Sequence, residues 1–200
     1  MLFRSPVVAI MGDLATSAGY MTALAAEKIY AQKATITGSI GVLFQTAEFT
    51  SLLQKLGIAV EALKSSPLKG APGPLEKMTP AARKTTISIV NDISTMFVRM
   101  VSNRRNLSID RASALSDGRV YSGQMALKHG LIDAIGGRRE ALKWLKIERN
   151  IPDELPIINL KTEMSKMSWL ERFKSLYQKV FNSERLVLDG LLSIWQPSVE

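Results

Sequence analysis

The sequence predicts an α/β fold with largely parallel strands, on three observations. Short apolar runs alternate with helix-like stretches through residues 7–63, the pattern of strands and helices in layers. The run Pro6-Val7-Val8-Ala9-Ile10 is unbroken, as expected of a strand covered on both faces. The chain has 200 residues and 46% apolar content, enough for one domain with a core and an appendage.

Taken in order, residues 7–11 are predicted as a strand, 17–27 as a helix and 28–32 as a short strand. Residues 36–44 are apolar but punctuated by Gly38 and Gly41, which predicts a strand carrying a turn or a close backbone approach. Residues 48–56 have helical spacing that stops at Gly57, and 58–63 read as another strand. Residues 65–78, rich in proline and glycine, form a long loop without periodicity, a type of segment that often carries function. Thr79-Pro80 supplies an N-cap and a first-turn proline. Ile87, Val90, Ile93, Met96, Phe97, Met100 and Val101 then continue at helical spacing to about Asn103. Helices are expected at 109–115, 124–129 and 139–146. Residues 155–160 are a strand or an extended segment. From Ser168 onward Trp169, Leu170, Phe173, Leu176, Tyr177, Val180 and Phe181 line one face of a basic amphipathic helix. Such a helix lies on a membrane surface or docks on protein, and docking is the simpler reading. The domain division expected is 1–150 and 151–200.

Composition excludes several classes. With no cysteine there is neither a disulfide nor a thiolate metal site. No stretch approaches twenty uninterrupted apolar residues, and the first six residues are too short for a signal peptide. The net charge of +8 is scattered apart from Arg104-Arg105 and Arg138-Arg139, and only 6% of residues are aromatic, so nucleic acid is not an expected partner.

The chemistry concentrates at Met11-Gly12-Asp13-Leu14-Ala15-Thr16-Ser17-Ala18-Gly19-Tyr20. A strand ending in a tight turn that presents Ser17 at a helix start would expose a hydroxyl beside helix amides, as a serine nucleophile requires. The simpler alternative is an N-cap. Asp13 reads as a structural cap or orienting group. The single histidine, His129, stands at a helix end, where histidine bonds terminal carbonyls, so a base for Ser17 must be sought among lysines. Lys64, Lys69 and Lys77 are candidates on equal terms from the residues alone. No His or carboxylate cluster has metal-ligand spacing, and no phosphate-loop pattern supports ATP dependence. No cofactor is expected.

The segment 6–20 resembles the nucleophile region of the signal peptide peptidase A family, serine/lysine peptidases of the Clp/crotonase-like fold. The resemblance extends through Thr37-Gly38-Ser39-Ile40-Gly41-Val42, Lys64-Ser65-Ser66-Pro67-Leu68-Lys69 and Met78-Thr79. It continues in Asp117-Gly118-Arg119-Val120-Tyr121-Ser122-Gly123-Gln124-Met125-Ala126 and Gly130-Leu131-Ile132-Asp133. It implies repeated ββα units with a C-terminal helical extension, Ser17 as nucleophile, Lys69 as general base and Ser39 holding the lysine. Ala18 and Gly19 would contribute to the oxyanion site, where the family usually has Gly-Gly. Peptide substrates, a homo-oligomer with active sites near subunit interfaces, membrane-surface contact and an extracytoplasmic site at a bacterial inner membrane are also implied. Serine and lysine can come from neighbouring subunits in this family. A lysine base must be neutral to accept a proton, so burial or nearby positive charge has to lower its pKa from about 10.4. Family members carry upstream βα units with oxyanion amides, so the N-terminal part of the fold is expected to be missing here. Two rivals follow: a non-catalytic scaffold that keeps the fold, and an acyl-CoA enzyme of the wider crotonase superfamily.

Overall fold

The computed structural model describes residues 5–152 and 154–159. The chain divides into two units, Met1–Glu154 and Leu155–Glu200. In the second, residues 155–159 have no regular secondary structure, and the expected amphipathic helix after Ser168 lies outside the described residues.

The first unit opens with β1 (Val8–Met11), β2 (Leu14–Thr16) and α1 (Ala18–Ala23), then β3 (Lys28–Ala31) and β4 (Ile36–Gly38). Consecutive strands enter different sheets. β1 pairs in parallel with β3 from Val8 opposite Lys28 to Met11 opposite Ala31, while β2 pairs in parallel with β4 from Leu14 opposite Ile36 to Thr16 opposite Gly38. The two strand-to-strand corners are fastened by buried Thr35. Its Oγ1 donates to the Gly12 carbonyl at 2.7 Å and accepts from the Gln32 amide at 2.9 Å. A buried hydroxyl is tolerated because both its capacities are used.

After β4 the chain makes a long excursion with one short helix, α2 (Thr50–Lys55), before α3 (Pro80–Arg105), α4 (Ile109–Ala114), β5 (Val120–Ser122), α5 (Gly123–Lys128), β6 (Ala134–Ile135) and α6 (Arg138–Arg149). β6 adds to β3 in parallel; β5 adds to β4 antiparallel, so one sheet is all parallel and the other mixed. Thr79 caps α3 as expected, its side chain accepting from the Ala82 amide at 3.1 Å. Tyr20, Leu24, Ile29, Ile40, Phe97, Val101 and Leu131 fill the core. Each such side chain contributes about 1.5–3 kcal/mol on burial.

Several expectations change. The strand before Ser17 is β2 rather than β1, because the chain turns at Gly12-Asp13 into the second sheet. The strand expected over 36–44 stops at Gly38, whose φ of +78° ends the extended conformation. Residues 58–63 are not a strand; they pair with none of the described strands and stay on the surface. On α3 the inward line runs through Ala82, Phe97 and Val101, whereas Ile87, Ile93 and Met96 are exposed.

One ion pair ties α3 to the sheet. Arg105 donates to both Asp133 oxygens, at 2.9 and 3.1 Å, and through Nε to the Gly130 carbonyl at 2.7 Å. Asp133 also accepts the Ile29 amide at 2.7 Å. Burial pushes the Asp133 carboxyl upward, but the Arg105 fork and the Ile29 amide outweigh it and hold the carboxyl below its ordinary value. Arg105→Met strands a half-buried carboxylate and should lower stability by about 2–4 kcal/mol, read from urea unfolding.

Glu140 reaches back to accept the Gly137 amide at the start of α6, at 2.8 Å. That bond, with Arg139 beside it, draws the carboxyl down to about 2. A carboxyl depressed on folding stabilises the native state above its unfolded pKa, and the contribution fades as pH falls from about 4.5 toward 2. Glu140→Gln should therefore flatten the decline of the urea midpoint across that window.

Candidate active site

Strand register creates the site. Thr16 lies opposite Gly38 in the β2–β4 pair, so Ser17 and Ser39 leave the sheet side by side at the carboxyl ends of two parallel strands. The Ser17 amide donates to the Gly38 carbonyl at 2.8 Å, and its carbonyl accepts the Met21 amide at 2.9 Å, starting α1. Ser17 itself has φ 51° and ψ −116°, a sharp strand-to-helix corner outside the regions a side chain prefers. Such a conformation costs of the order of 1–3 kcal/mol and persists only where its surroundings enforce it. The Ser17 hydroxyl makes no cap bond to α1, so the capping alternative does not describe this residue.

Ser39 is held as firmly. Its φ is +49°, and its amide donates to the Arg119 carbonyl at 2.8 Å. The Gly118 amide donates to the Ile40 carbonyl at 3.1 Å, joining the loop before β5 to the segment after β4. Gly38 packs under the Tyr121 ring so closely that an added Cβ would lie 2.5 Å from Cδ2. Tyr121 is fixed by its hydroxyl bond to the Leu115 carbonyl at 3.2 Å, and burial raises its pKa. Gly38→Ala combines a left-handed backbone with that overlap and should cost about 2–5 kcal/mol. Because Gly38 anchors Ser17, the same variant should also slow probe attachment to Ser17, measured by labelling rate.

Ser17 and Ser39 open into one cleft of about 600 Å³, which Gly41, Val42 and Leu43 also line. Ser94 of α3 and Ser116, Asp117 and Gly118 complete its lining. Ala18 and Gly19, on the first turn of α1, are exposed beside Ser17. Asp117 accepts from Nε of Arg119 at 2.7 and 2.9 Å, and this hydrogen bonding holds its carboxyl below the ordinary value. Ser94 and Leu43 were not singled out by sequence, and Val42 only as the end of the motif that begins at Thr37. The only available signal for Ser94 was a serine interrupting the inward line of α3.

Lys69 is exposed on the excursion between β4 and α3, and no lysine lines the cleft among the described residues. Lys64 is tied to the Glu76 carboxylate, closing the loop that contains Lys69. Lys77 is exposed. His129 ends α5 as expected, but its partners are side chains. Nδ1 lies 3.1 Å from Arg111 Nη2, and the ring meets Tyr121 edge-on at 5.3 Å. The Asp13 carbonyl, rather than its side chain, braces the corner by accepting the Ile36 amide at 2.8 Å.

A strained serine at a strand-to-helix corner, opening on a cleft, has the local geometry that serine hydrolases require of a nucleophile. The chain belongs to peptidase family S49, whose sequence profile matches residues 4–152. It is 32% identical over 186 residues to an Enterococcus faecium protein provisionally named signal peptide peptidase SppA, covering 91% of this chain and 54% of the relative. It is 33% identical over 190 residues to the chloroplastic serine protease SPPA of Arabidopsis thaliana, covering 94% of this chain and 28% of that one. With protease 4 of Haemophilus influenzae the identity is 34% over 139 residues, covering 68% and 22%. The chain spans about half the length, or less, of these curated relatives.

Proposed function

We propose that this chain carries the catalytic serine of a Ser/Lys endopeptidase that cleaves hydrophobic peptides, such as remnant signal peptides, without ATP. The observation that carries the reading is Ser17, held at φ 51° with its hydroxyl uncommitted to helix capping. Ser17 Oγ attacks the scissile carbonyl carbon as its proton passes to the neutral amine of Lys69. Amides of Ala18 and Gly19 stabilise the oxyanion. Collapse of the tetrahedral intermediate breaks the C–N bond, and Lys69 returns the proton to the leaving amine. Water, deprotonated in turn by Lys69, attacks the acyl carbon of the Ser17 ester; the C–Oγ bond breaks, the acid is released and Lys69 returns the proton to Ser17 Oγ. Ser39 positions the lysine.

Lys69 reaches its serine across an interface between copies in this reading. Support comes from the excursion itself: no residue from 41 to 81 is buried, while Leu43, Leu52, Leu56 and Leu63 are each more than half exposed. An apolar segment of that length without a core is expected to be covered by another surface. The alternation of two strands and a helix between two sheets supports the finer assignment to the Clp/crotonase-like fold, with residues 151–200 as an extension. We place the protein at the extracytoplasmic face of a bacterial inner membrane. None of the described helices is long and apolar enough to cross a bilayer, so attachment would involve other parts of the protein or surface contact.

Treatment with a fluorophosphonate followed by peptide mass mapping tests the assignment. An adduct on Ser17 supports it, whereas a folded, assembled sample that takes up no probe, or takes it up elsewhere, sinks it.

A further inference from the structure

Ser94 stands where α3 changes role. Along the inward line of the helix, Phe97 and Val101 are closed in the core, while Val90 and Thr86, about two and three turns further toward the N-terminus, are half-buried. Ser94 lies at the junction, half-buried, and lines the same cleft as Ser17 and Ser39. Val42 and Leu43 line the same cleft, on a segment tied to the loop before β5 through the Ile40–Gly118 bond. The space beside the nucleophile is thus lined both by a chain segment and by a long helix anchored in the core. Helix walls yield less than loops, so the side chain carried at position 94 sets the width. Serine is among the smallest choices, and it leaves room that a branched or aromatic residue would fill.

We propose that Ser94 is a specificity-determining residue, which by its small size admits bulky substrate side chains into the space beside Ser17. The proposal rests on the peptidase reading given above. It assigns Ser94 no part in proton transfer. Its effect is steric: a larger residue there competes with the substrate side chain for volume and leaves the reaction of Ser17 itself unchanged. Loss of a few methylenes' worth of pocket changes kcat/KM by tens to a few hundred fold.

The test compares wild type, Ser94→Ala, Ser94→Thr and Ser94→Leu on peptides that differ only in the residue supplying the acyl group: alanine, leucine or phenylalanine. Ser94→Leu should lower kcat/KM for the phenylalanine peptide at least about 10-fold relative to the alanine peptide. Ser94→Thr should do so in smaller measure, and Ser94→Ala should keep the wild-type ratio. Ser17 should still form the adduct with a small fluorophosphonate in all of them. An unchanged alanine-to-phenylalanine ratio in Ser94→Leu overturns the proposal, as does a uniform loss on every peptide accompanied by lost labelling. Should Ser94→Leu fail to fold, judged by its thermal transition, the ratio in Ser94→Thr decides. If wild type forms no adduct at Ser17, the peptidase reading fails and this inference with it. If the adduct forms and the ratios stay level, only the role of Ser94 is lost.

Discussion

Ser17→Ala is expected to lower peptide hydrolysis by about 10⁴-fold or more while leaving the fold intact. The size follows from the absence of a substitute. Covalent attack needs an oxygen at the corner between β2 and α1, and Ser39 stands at its own corner, its backbone amide bonded to the Arg119 carbonyl. Alanine also tests the structural alternative. A serine retained for capping would cost about 1 kcal/mol of stability when removed. Here the hydroxyl caps nothing, so the urea midpoint should stay close to that of wild type. A large loss of stability with modest loss of rate would count against Ser17 as nucleophile.

Lys69→Met should remove most of the remaining chemistry, lowering kcat/KM by about 10²–10⁴-fold, the range for loss of a general base. Mixing inactive Ser17→Ala with inactive Lys69→Met gives a sharper outcome. If serine and lysine meet across an interface, mixed assemblies contain sites with both groups, and activity returns. If they meet within one copy, no mixture restores activity. Lys64→Met should mainly loosen the loop by deleting the bond to Glu76, with a far smaller effect on rate.

Parts of this architecture were legible because they are repetitive or chemically distinctive. Thr79-Pro80 at the start of α3 uses side-chain hydrogen bonding and a fixed φ, both local properties. Gly57, at φ +71° just beyond α2, is equally local. β2, β5 and β6 were not legible, since two or three residues cannot display an alternation. The spacing of Ile87, Ile93 and Met96 marked the helix, but not that this line stays exposed: helical spacing says that a face is apolar, and cannot say what, if anything, covers it.

The sequence by itself determined the α/β character, the candidate serine and its ordered companions, since these depend on residue type, spacing and local caps. Family membership followed from the same ordered pattern. Tertiary structure alone decided that Ser17 and Ser39 stand together, because their neighbourhood comes from the β2–β4 register across twenty-two residues of chain. It likewise decided that Ser94 faces the cleft, which depends on how α3 is anchored by Phe97, Val101 and Arg105. Proximity between distant residues is a property of hydrogen-bond register and packing, and neither is written in the local order of side chains.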